Sequence, residues 1–111
     1  MAFIVPKKLG QVAIATGAGT LVYTTPTGIT TLVKCMDLAH TGSGTIKVDI
    51  HLVPLGGTAT AANCLIHAVP VVSSTPYQWT GTQVLDPGGF IQAIADGAGC
   101  TINAAGGEYV V

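Results

Sequence analysis

From Thr45 to Val53 apolar and polar residues alternate. Ile46, Val48, Ile50 and Leu52 fall on one side, Lys47, Asp49 and His51 on the other. A period of two marks a strand with one face in a core. Similar runs rich in Val, Ile, Thr and Tyr recur along the chain: Gln11–Ala15, Thr20–Thr24, Ile29–Ala39, Cys64–Val69, Tyr77–Thr80, Phe90–Asp96 and Cys100–Ala104. These residues suit a pleated, half-buried surface. Gln83–Leu85 continues the Tyr77–Thr80 run beyond Gly81, and Glu108–Val111 follows a bend or bulge at Gly106-Gly107. In Ile29–Leu38 neither face is cleanly apolar, because Lys34 breaks one and Asp37 the other. That requires a bulge or a strand covered on both sides.

Between the runs lie turn signals: Thr25-Pro26-Thr27-Gly28, His40-Thr41-Gly42-Ser43-Gly44, Pro54 with Gly56-Gly57, and Asp86-Pro87-Gly88-Gly89. Proline presets φ and glycine admits the left-handed region that such turns use. Thr58–Asn63 reads as a small-residue loop or one irregular helical turn. About eight short strands with closely spaced turns predict an all-β fold, a compact antiparallel β-sandwich of jelly-roll-like order. Residues 11–111 form this single domain. Residues 1–10 lie outside the strand pattern and read as an N-terminal arm or extended segment.

Composition sharpens the picture. Only 8% of the 111 residues are charged, every cation is lysine, and the net charge is -1; a typical chain carries ~25% charged residues. Nucleic acid and anionic membranes attract basic surfaces, so neither is an expected partner. No apolar run approaches the ~18 residues of a spanning helix. The start, Met1 to Lys8, places its charges after the apolar stretch and is cut by Pro6, unlike a secretory signal, so synthesis in the cytosol is expected. With 49% hydrophobic residues the chain is no charge-driven disordered polymer. So little charge leaves two explanations, a neutral polar β-surface rich in threonine or a surface packed against copies of itself or other proteins, and the second is the larger contributor.

Candidate chemistry is sparse. Serines, histidines and aspartates occur, but no nucleophile elbow, His-x-x-x-His helix or phosphate loop groups them, so no enzyme activity, metal or cofactor is expected. Cys35, Cys64 and Cys100 have no CxxC spacing and read as free thiols or as intermolecular cross-links. Candidate contact residues are clearer. Lys47, Asp49 and His51 form a polar row that serves as an outer face or a ladder to a neighbouring chain. Tyr77 and Trp79 alternate, so both rings lie on one face, as core, subunit interface or sugar-stacking platform. Phe3, Ile4, Val5, Lys7 and Lys8 give the N-terminal segment an apolar tip and two cations for reaching a neighbour, although a frayed terminus is the plainer reading.

Four fragments together carry a family resemblance: Leu52-Val53-Pro54-Leu55-Gly56-Gly57-Thr58, Asn63-Cys64-Leu65-Ile66, Tyr77-Gln78-Trp79-Thr80-Gly81-Thr82-Gln83-Val84-Leu85 and Asp86-Pro87-Gly88-Gly89-Phe90-Ile91-Gln92-Ala93. In this order they resemble small virion structural proteins of tailed bacteriophages, over roughly Leu32 to Val111. The resemblance implies a β-sandwich subunit repeated on a phage particle, as capsid decoration or cement or as part of the tail, baseplate or fibres. It implies partners among copies of the chain, as a homotrimer or other homo-oligomer, and the major capsid protein or other virion proteins. It transfers no functional residue. A free carbohydrate-binding module is the alternative from another class.

Overall fold

The computed structural model describes residues 3–110; Met1 and Ala2 of the expected arm, and Val111 of the last expected strand, lie outside the described residues. Eight strands are present: β1 (Phe3–Ala13), β2 (Thr20–Thr24), β3 (Thr30–His40), β4 (Thr45–Val53), β5 (Cys64–Val72), β6 (Tyr77–Leu85), β7 (Phe90–Ala95) and β8 (Cys100–Val110). One 3-10 turn, Ala61–Asn63, precedes β5.

The strands form two four-stranded sheets, ordered β1-β8-β3-β6 and β2-β7-β4-β5. The pairs β1·β8, β2·β7, β3·β6 and β4·β5 are all antiparallel. The chain is therefore one long hairpin, folded back at the β4–β5 connection and rolled up. Two further antiparallel pairs, β3·β8 and β4·β7, knit the roll into sheets. This is jelly-roll order, and the all-β sandwich expected from the sequence is the observed fold.

The core lies between the sheets. Val33, Met36 and Leu38 of β3, Val48 and Ile50 of β4, Ile91 and Ala93 of β7 and Ile102 of β8 are fully buried there. The irregular pattern of β3 resolves as a bulge. The register shifts between Val33 and Cys35 against both β6 and β8. Inward positions run Thr31, Val33, then Met36, Leu38 and His40, with Lys34 left exposed. One inserted residue resets the alternation, which is what Lys34 and Asp37 had required.

The main departures from the sequence expectation lie in β1, β5 and β8; other strand ends shift by one or two residues. β1 begins at Phe3 instead of Gln11, because residues 3–8 pair in unbroken register with Val110–Ala105 of β8. The expected arm, in its described part, is an extended strand held by its own chain. β5 runs through Pro70 to Val72. It is an edge strand, where proline's missing donor is tolerated. Gly106-Gly107 does not bend β8. The bulge sits opposite, at Lys34, and a Cβ on Gly106 would overlap the Leu32 carbonyl while one on Gly107 would meet Ile4. Glycine lets β1 and β3 close on β8 from both sides.

Candidate functional site

The residues with a possible task lie at four places on the roll. The first is the polar node that closes it. Tyr23 of β2 reaches from the second sheet into the first. Its hydroxyl donates to Glu108 Oε2 at 2.6 Å and lies 2.8 Å from Thr31 Oγ1, which is left to donate to the phenolic oxygen. Lys7 Nζ stands 3.2 Å from the same Glu108 oxygen. Burial, followed by the hydrogen bond to Glu108, pushes the Tyr23 hydroxyl up to about 12. The Tyr23 hydrogen bond, with help from Lys7, holds the Glu108 carboxyl below its ordinary value. Four strands thus meet in one network, and Lys7 is a structural tie at this node.

The second place is the tip beyond this node. Phe3 and Val5 share the inner face with Lys7 and Glu108, yet they are 54% and 39% exposed, so the second sheet does not cover them. Ile4 pairs with Tyr109 on the opposite face, at 50% and 41% exposure. The end of the β1–β8 ribbon is therefore apolar on both faces. Phe3, Ile4 and Val5 come together there as the sequence grouped them. Tyr109 joins them, and sequence reasoning missed it. Its signal was available only in the pairing of the two chain ends. Lys8 points to the outer face of the first sheet, beside an open groove of about 440 Å³ shared with Cys35, Asp37, Asn103 and Ala105, and donates to Gln11 Oε1.

The third place is the outer face of β4. Lys47 is exposed, Asp49 half-buried and His51 buried. The loop before β5 folds over His51: Asn63 Oδ1 accepts from His51 Nδ1 at 3.0 Å and from the Thr60 N–H. Asp49 is drawn into β5. It accepts from the Ala68 N–H, at a residue with φ of 50°, and lies 3.3 Å from the exposed His67 imidazole. The row is therefore divided between strand bracing at Asp49 and His51 and the exposed Lys47. An open cleft of about 540 Å³ runs along it past Cys64 and His67. Burial and then the Asp49 charge push the Cys64 thiol up, which keeps it protonated and a poor nucleophile at neutral pH. Among the described residues no group of three His, Cys, Asp or Glu side chains is placed to hold a metal ion.

The fourth place is β6. Tyr77 and Trp79 lie opposite Leu38 and Met36, on the side that packs against the core, and both stay half-buried. Both rings pack partly against the core instead of forming a flat outward platform. Gln78 and Thr80 between and beside them are exposed.

No helix among the described residues is long and apolar enough to cross a membrane. No protein-family model matches the chain, and no curated protein matches it. Solved structures do. The chain is similar over 99% of its length to a chain of infectious bursal disease virus, Gx strain, at 9% identity and a TM-score of 0.56. A second match, in the T13 particle of the same virus, covers 97% of this chain at 10% identity and a TM-score of 0.54. This protein spans about a third of either viral chain, 33% and 30%. At such identities the likeness is one of fold alone.

Proposed function

We propose that this chain is a repeated structural subunit of a virus particle, and specifically a capsid decoration or cement subunit of a tailed bacteriophage, associating with its own copies and with the major capsid protein. The observation that carries the reading is the apolar tip of Phe3, Ile4, Val5 and Tyr109 on a chain with only 8% charged residues. An exposed apolar cluster on an otherwise neutral surface is a protein-docking surface. The fold shared with chains of a virus particle supports the reading, as does the phage-like pattern from Leu32 to Val111. The mechanism is mass action. A subunit that buries its tip only against the assembled shell stabilises that state over the dissociated one. A stable contact of this kind buries about 800 Å² on each partner.

The test places lysine at Phe3 and Val5 and follows the chain into purified particles. The expected result is a folded variant that no longer copurifies with the shell. Incorporation equal to that of the unaltered chain contradicts the reading, and label confined to the tail replaces decoration with a tail or fibre role.

A further inference from the structure

Two sheets leave four edge strands, and each carries some device against pairing with another chain. β1 has Pro6, Lys7, Lys8 and a register shift between Lys8 and Gly10. β5 has Pro70, two register shifts and the left-handed Ala68. β2 is five residues long. Prolines, lysines, bulges and shortness are the ordinary means of blunting an edge. β6 is blunted least, by one register shift beyond Thr80. It spans nine residues, Tyr77 to Leu85, with no proline and no charge. Its ladder partner is β3 alone. Among the described residues, no backbone–backbone hydrogen bond outside the sheets uses residues 77–85. Tyr77–Thr80 is in unbroken register with Leu38–Cys35 of β3, and the one irregularity follows, between Thr80 and Gln83.

We infer that Tyr77–Thr80 is the edge at which two copies of this chain pair, antiparallel and about a two-fold axis, joining two four-stranded sheets into one of eight. A second copy is the occupant because the segment is self-complementary. Being uncharged, it meets itself without like-charge repulsion, whereas β1 would set Lys7 and Lys8 against their own copies. The pairing also brings the half-buried Tyr77 and Trp79 of both copies together, and such aromatics are enriched at subunit contacts. The contact joins copies in pairs; the three-fold association that the resemblance implies needs another surface. The inference does not depend on the virion reading, since it concerns the isolated chain.

Sedimentation equilibrium of the purified chain, with hydrogen exchange read strand by strand at low and high concentration, tests it. The expected result is self-association in which β6 amides alone among the four edges gain protection with concentration. Thr80→Lys then raises the dissociation constant at least about tenfold, equivalent to ~1.4 kcal/mol, with the melting temperature of the subunit kept, and Thr80→Val leaves association intact. A chain that stays monomeric at all concentrations overturns the inference, as does association that Thr80→Lys leaves unchanged while lysine at Phe3 and Val5 abolishes it. Failure of that tip variant to enter particles bears on the virion reading and leaves this one standing.

Discussion

The Tyr23 hydroxyl and the Glu108 carboxylate, 2.6 Å apart, tie the two sheets together across the open end of the roll. The residues are 85 positions apart in the chain. Tyr23 is buried, and its oxygen also faces Thr31. A hydrogen bond to a charged group contributes roughly 1.5–3 kcal/mol. Tyr23→Phe is therefore expected to destabilise the fold by about 2 kcal/mol, a fall in melting temperature on the order of 10 °C for a domain of this size. Thermal unfolding of the variant beside the unaltered chain checks this.

The same pair sets a dependence on pH at both ends. Glu108 has a carboxyl lowered from its ordinary 4.5. Its contribution is present above that value and is lost as pH falls through the lower, folded one. Tyr23 is raised from 10.0 to about 12. Its contribution is present below pH 10 and is lost as pH rises from 10 toward about 12. Denaturant midpoints measured across pH are expected to fall at both extremes, and Tyr23→Phe is expected to remove the share of the alkaline fall that this hydroxyl causes.

Gly106 is held to glycine by space, and Gly44 by conformation. A Cβ at Gly106 would overlap the backbone carbonyl of Leu32, so β3 and β8 would have to part. At Gly44, with φ of 76°, nothing lies within 4 Å. Gly106→Ala is expected to cost about 3 kcal/mol, the upper range for overpacking, and Gly44→Ala about 1 kcal/mol, the cost of a left-handed alanine. Equal losses in chemical denaturation would contradict the assignment of the β3 bulge.

The three thiols differ in access. Cys100 is 1% exposed, and burial pushes its thiol up. Cys64 is half-buried and also shifted up, while Cys35 is half-buried on the outer groove of the first sheet. Maleimide labelling of the folded chain, read by peptide mass spectrometry, is expected to modify Cys35 first and Cys64 slowly. Cys100 reacts only after unfolding.

Local pattern was enough for β2 and β4, whose bounds coincide with the residues read from the sequence, β2 by residue type and β4 by alternation. In β4 the inward Ile46, Val48 and Ile50 announce themselves because one face is buried. The start of β1 was hidden because Pro6, Lys7 and Lys8 break the alternation; pairing with β8, some hundred residues away, decides it. His51 read as an outer polar residue because the loop that buries it, from Thr58 to Asn63, has no apolar signature of its own. The tip was half legible. Phe3, Ile4 and Val5 stood out as an apolar run, but Tyr109 belongs to it only through the register of the two termini. Tyr77 and Trp79 were placed on one face correctly, while which face that was depended on β3.

Quantitative mass spectrometry of purified particles tests the central claim most directly. The account predicts this chain in many stoichiometric copies per particle, lost together when the shell is stripped of its outer subunits. Particles that assemble, persist and infect without containing the chain would contradict it.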